Sequence, residues 1–140
     1  MEHPNLPGQK PATALTAGLT ARVELTVTDA DTAQALGSGD VPVLGTPRLL
    51  ALAEAATVAA TVPKLTSGIT TVGVRVELEH LAPTPVGATV VAEATLAKVD
   101  GHRLLFEVRV RAGSTTVAEG RVERAVVDRQ QFLEKAFAAA

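Results

Sequence analysis

Apolar residues alternate with polar ones over residues 19–28, where Leu19, Ala21, Val23, Leu25 and Val27 fall on one side. A period of two marks a strand with one buried face. The pattern lapses over residues 29–45, where Gly37-Ser38-Gly39-Asp40 signals a loop and residues 31–36 suit a short helix. A connection this long in a compact domain often covers a ligand site. Thr46-Pro47 then opens a helix, with Thr suited to the N-cap and Pro to the first helical position. Residues 48–60 are apolar almost all round, which predicts a buried helix rather than a surface one, and Pro63 closes it.

Alternation returns at Ile69. Val72, Val74, Val76, Leu78 and His80 fall on one face, with Gly73, Arg75, Glu77 and Glu79 on the other. Pro83, Pro85 and Gly87 break this strand. Residues 88–99 and 102–112 read as a hairpin about Asp100-Gly101, and Gly113-Ser114 turns the chain into a last strand, residues 115–128. Residues 129–139 suit a terminal helix. Residues 1–18 carry Pro4, Pro7, Gly8, Pro11 and Gly18 without periodicity and read as a flexible leader, leaving 19–140 as a single domain. One strand, a long loop, a buried helix and four closely linked strands predict an α+β fold, an antiparallel sheet wrapped round one hydrophobic helix.

Composition narrows the possibilities. The 140 residues are 46% hydrophobic, enough for the core of one domain. That core must be built from Val, Leu and Ala, because Phe106, Phe132 and Phe137 are the only aromatic residues. Small side chains bury little area each, so a lone protomer gains from oligomerisation. Thirteen basic and fifteen acidic residues give a net charge of −2, and with no aromatic platform this argues against a nucleic-acid partner. The absence of cysteine excludes disulfides, thiol catalysis and Cys-based zinc sites. His3, His80 and His102 are too dispersed for a metal motif, and no phosphate-binding glycine loop occurs. The N-terminus lacks a signal-peptide pattern and no apolar stretch is long enough to span a bilayer, so the expectation is a cytoplasmic protein with no membrane partner.

Four residues break the apolar pattern. Glu54 sits in the middle of the apolar helix, where a carboxylate is costly unless it is paired or has chemistry to do; the bland alternative is an escape to solvent. His80 ends the apolar face of its strand, as a candidate acid or base or as a half-buried histidine bonded to backbone. Thr46 reads first as a helix cap, but a hydroxyl at a helix N-terminus can also stand beside a substrate carbonyl. Arg124 shares a face with Val122 and Val126, which suggests an ion pair or an anionic ligand, against a stem that snorkels outward.

Taken together, three segments resemble the fluoroacetyl-CoA thioesterase-like family of hot-dog fold proteins, over about residues 19–133. They are Val43-Leu44-Gly45-Thr46 with Glu54 eight positions after Thr46, Gly73-Val74-Arg75-Val76-Glu77-Leu78-Glu79-His80 with its following Pro-rich turn, and Glu123-Arg124-Ala125-Val126-Val127. The resemblance implies a five-stranded hot-dog sheet around the helix, hydrolysis of an acyl-CoA thioester, and a homodimer or larger homo-oligomer. It implies Thr46, Glu54 and His80 as the catalytic group, with Gly73 and Arg124 on the substrate side, and no metal or other cofactor. Residues 29–45 hold no Phe, so a different acyl group from fluoroacetyl is expected. Lys64, Arg75 and Arg103 are candidate cations for the CoA phosphates. The competing readings are a non-catalytic acyl-CoA or small-ligand binder and a hydratase acting on enoyl thioesters.

Overall fold

The computed structural model describes residues 5–138. The expected elements are present: β1 (Thr20–Thr26), a short helix α1 (Ala33–Leu36), the long helix α2 (Thr46–Thr61), β2 (Ile69–His80), β3 (Thr89–Asp100), β4 (Arg103–Ala112), β5 (Thr115–Asp128) and α3 (Arg129–Ala138). The five strands form one sheet in the order β1-β3-β4-β5-β2, with every pairing antiparallel. The sheet packs against α2 by its concave face. Leu49, Leu52, Ala53, Ala56 and Ala60 of α2 meet inward residues such as Val90, Leu96, Phe106, Val110 and Val122. Alanine on the helix and on β3 lets the two layers approach closely, so a core with one Phe still fills.

The structure departs from the sequence reading in four places. Gly45, not Thr46, is the N-cap of α2, so Pro47 stands in the second helical position. Gly45 lies against the Ala33 backbone, where a Cβ would come within 3.0 Å of Ala33 N and Cα, and its amide donates to Asp31 O at 2.9 Å. The close approach fixes a glycine at the cap and leaves the Thr46 hydroxyl uncommitted. Second, α2 is not buried all round. Ala51, Val58 and Ala59 are exposed, and Val62 just beyond the helix is 57% exposed.

Third, the segment read as a leader is, from Gly8 on, a strap across the end of the sheet. Asp128 N donates to Gly8 O at 2.7 Å, Lys10 N to Val126 O at 3.0 Å, and Gly18 N to Leu96 O at 2.8 Å. Ala12 and Leu15 are buried in the core. Met1 to Pro4, with His3, and Ala139 lie outside the described residues.

Fourth, β2 carries a bulge. Gly73 pairs with Arg124 and Arg75 with Glu123, leaving Val74 as the extra residue. One extra residue reverses the alternation of a strand. Gly73 therefore faces α2, as Val76, Leu78 and His80 do, rather than the opposite side.

Candidate active site

Thr46 is the first residue of α2, and its hydroxyl is 2.8 Å from Nδ1 of His80, the last residue of β2. The hydroxyl is free for this bond because Gly45 caps the helix. His80 Nε2 is buried and has no partner among the described residues. If Nδ1 accepts from the threonine hydroxyl, Nε2 carries the ring proton and is left without an acceptor among the described residues. The pair opens on a cleft of about 360 Å³, walled by Val41, Val43 and Leu44 of the lid and by Leu81, Ala82 and Pro83 after β2.

Residues 29–45 form the lid of this cleft, and they are held at both ends. Asp31 is buried, and its carboxylate accepts from Thr28 N at 2.7 Å, Thr28 Oγ1 at 2.9 Å and Arg48 Nε of α2 at 3.1 Å. The Thr28 amide, followed by the Thr28 hydroxyl and Arg48, holds the Asp31 carboxyl below its ordinary 3.8 against the opposing effect of burial. At the far end Leu44 N donates to Thr84 O at 2.9 Å, next to the turn that follows His80. The lid base and the first turn of α2 are thus one unit.

Glu54 lies on the side of α2 that faces the bulge. Its Oε2 accepts from Arg124 Nη1 at 3.1 Å. Arg124 is itself gripped by Thr71, with Nε donating to Thr71 Oγ1 at 2.9 Å and Nη2 to Thr71 O at 3.0 Å. Burial draws the pKa of the Arg124 guanidinium below its ordinary value, and the Glu54 charge opposes that fall. An arginine here remains charged, so Glu54 has a fixed cation beside it. Gly73, across the ladder from Arg124, leaves the room that the carboxylate occupies: a Cβ there would overlap Glu54 Oε2.

The five residues singled out from the sequence therefore fall into two groups. Thr46 and His80 touch at one end of α2. Glu54, Arg124 and Gly73 gather further along it. Eight helical positions separate Thr46 from Glu54, a rise of about 12 Å. Seven strand positions separate Gly73 from His80, about 20 Å. Within one protomer the Glu54 carboxylate and the His80 imidazole do not meet. Thr71 was not visible from sequence, since threonine in a strand is ordinary; nor was the Asp31–Arg48 pair.

Of the candidate cations, Arg75 pairs with Glu77, and Arg103 is buried with its Nη1 4.0 Å from Glu123 Oε2. Lys64 is exposed in the single turn Val62–Lys64 after α2. Among the described residues no group of three or more His, Asp or Glu is placed to hold a metal ion.

Comparison with known proteins agrees with this architecture. The family model for fluoroacetyl-CoA-specific thioesterases matches residues 27–130. The fluoroacetyl-CoA thioesterase of Streptantibioticus cattleyicolor is 36% identical over 93 residues, 66% of this chain and 67% of that protein. The crystal structure of a phenylalanine-to-alanine mutant of the fluoroacetyl-CoA-specific thioesterase, in complex with fluoroacetate and CoA, superposes with a TM-score of 0.79 at 29% identity, covering 84% of this chain and 99% of that one. A hot-dog-like protein from Thermanaerovibrio acidaminovorans superposes with a TM-score of 0.83 at 26% identity, covering 91% and 94%.

Proposed function

This chain belongs to the fluoroacetyl-CoA-specific thioesterase family and is a thioester hydrolase, and we propose that it cleaves short acyl-CoA thioesters at the Thr46–His80 pair. The observation that carries the reading is the 2.8 Å contact between the Thr46 hydroxyl and His80 Nδ1 beside the lidded cleft. His80 is the base. Its Nδ1 takes the proton of the Thr46 hydroxyl as that oxygen, or a water it holds, attacks the thioester carbonyl. The first turn of α2 presents the positive end of a 16-residue helix to the oxyanion that develops. The carbon–sulfur bond then breaks, the thiolate of CoA takes up the proton, and water completes the release of the carboxylic acid.

Glu54 completes the group from a second copy of the chain. His80 Nε2 lacks an acceptor among the described residues and the Glu54 of its own protomer lies too far away to supply one, so a homodimer would provide it by setting the Glu54 of one copy, already steadied by Arg124, against the His80 of the other. Two features favour such a pairing. The outer side of α2 exposes Ala51, Val58 and Ala59, and β2 is an unpaired edge of the sheet. In this arrangement Arg124 and Gly73 fix the carboxylate on the substrate side, and of the three candidate cations Lys64 is the one exposed without an ion-pair partner among the described residues. A lid walled by Val and Ala and free of Phe suits an aliphatic acyl group rather than fluoroacetyl. A CoA ester as substrate implies work in the cytoplasm; no helix among the described residues is long and apolar enough to cross a membrane.

The test is thiol release from a panel of acyl-CoA esters, followed with a colorimetric thiol reagent. The protein has no cysteine and adds no background. His80→Ala and Thr46→Val should each reduce kcat/KM, the former by about a hundredfold or more. Turnover untouched by both variants would refute the site. Hydration of crotonyl-CoA without thiol release would mark a hydratase instead.

A further inference from the structure

The cleft beside Thr46 and His80 has an uneven charge. Its polar side chains are Ser38, Asp40, Thr46 and His80, and no lysine or arginine lines it. Asp40 has no hydrogen-bond or ion-pair partner among the described residues. The lid arginine-binding carboxylate is a different one: Arg48 is committed to Asp31. The loop that bears Asp40 is held on both flanks, by Ala33 N to Val43 O at 2.9 Å, Gln34 N to Val41 O at 3.1 Å and Ser38 N to Ala33 O at 3.0 Å. These bonds hold the backbone that carries Asp40 at the cleft wall, where its side chain is exposed and unpaired among the described residues.

We propose that Asp40 makes this cleft select acyl groups that carry no negative charge, so that the substrates are thioesters of short neutral monocarboxylic acids and not of dicarboxylic acids. This deepens the hydrolase reading and rests on it. The CoA phosphates need cations and find none in this cleft, which leaves it to the acyl end. Its volume of about 360 Å³ and its aliphatic walls fit a short chain. Among the residues that line the cleft in one protomer, a terminal carboxylate on that chain would meet Asp40 and no cation, and Arg124 is already neutralised by Glu54. Two carboxylates about 5 Å apart disfavour binding by roughly fourfold in water-like surroundings and by a few hundredfold at the dielectric of a protein surface.

The matched probes are S-propyl-CoA and S-(2-carboxyethyl)-CoA, thioethers of equal chain length that cannot be hydrolysed. Each is titrated calorimetrically into the wild-type protein, Asp40→Asn and Asp40→Lys, and propionyl-CoA and succinyl-CoA are assayed kinetically with the same proteins. The wild type should bind the propyl probe at least about tenfold more tightly, within the range set by the repulsion. That ratio should shrink in Asp40→Asn and invert in Asp40→Lys, and kcat/KM should follow the same order. The variants separate the repulsion from the ordinary cost of desolvating a carboxylate, which is common to all three proteins. Equal binding of the two probes by the wild type, or a ratio unmoved in Asp40→Lys, overturns the proposal. Thioesters cleaved with an unmoved ratio would sink it and leave the hydrolase standing. Probes discriminated through Asp40 without cleavage of any tested thioester would uphold the charge selectivity of the cleft and overturn the assignment of these acyl groups as substrates.

Discussion

Replacing Gly73 by alanine should displace the Glu54 carboxylate without unfolding the protein. A Cβ on Gly73 would overlap Glu54 Oε2, with Arg124 Nη1 next nearest at 3.4 Å. The obstruction is the end of a flexible side chain rather than backbone. Glu54 can therefore yield by turning about its own torsions, with the strand left in place. The carboxylate must retreat by about 1 Å to reach ordinary contact distance. Its bond to Arg124, already 3.1 Å long, then passes out of hydrogen-bonding range. A hydrogen bond to a charged group contributes about 1.5–3 kcal/mol. If that interaction holds the carboxylate where the reaction needs it, kcat/KM falls by about ten- to a hundredfold, at one decade per 1.36 kcal/mol. Because the same bond relieves the burial of Arg124, thermal unfolding of the variant should fall by roughly 5–10 °C while the protein still folds. Wild-type turnover in Gly73→Ala would mean that the position of Glu54 is irrelevant to the reaction. Gross unfolding would mean that the strand, and not the side chain, yields.

Two further substitutions test the supports of the two clusters. Thr71→Val removes the hydroxyl that accepts from Arg124 Nε while keeping the shape, so kcat/KM should fall by roughly tenfold, the value of one charge-assisted bond. Thr71→Ser should restore it in the thiol-release assay; equal loss in both variants would make Thr71 a packing residue only. Asp31→Asn weakens the clasp between the lid base and α2 and should cost about 1–2 kcal/mol at pH 7 by urea denaturation. Because the folded protein holds the Asp31 carboxyl below its ordinary 3.8, the stabilisation is present above that value and is lost as pH falls through the folded one. The gap between wild type and Asp31→Asn should accordingly close in acid below about pH 4, and a gap that persists there would refute the assigned charge.

The regular elements were legible because their periods are clean: two for the strands, and one long apolar run for α2. The charged residues of the site were legible as anomalies. Glu54 breaks an apolar helix and Arg124 breaks an apolar strand face. They have opposite signs, and each turns out to relieve the burial of the other. Beside the catalytic role that the resemblance implies, Thr46 reads locally as a cap, because Thr-Pro is a common helix opening. What displaced it was a tertiary contact, the approach of Gly45 to Ala33, which leaves no local trace. The strap over residues 8–18 escaped for a similar reason. Its hydrogen bonds run to Val126, Gly101 and Leu96, far away in sequence, and Pro and Gly give no period.

The bulge is the feature with the most at stake and the least signal. Gly73-Val74-Arg75 alternates without fault, so periodicity puts Gly73 on the outer face of the sheet. Gly73 and His80 are seven positions apart, and in an unbroken strand an odd separation puts two residues on opposite faces. Only an extra residue between them allows one edge strand to present both to α2, Gly73 under Glu54 and His80 beside Thr46. A strand that serves two clusters along one helix must therefore break its own alternation. The residue that breaks it, Val74, belongs to neither cluster, and the glycine beside it is the one position where the carboxylate needs an absent side chain.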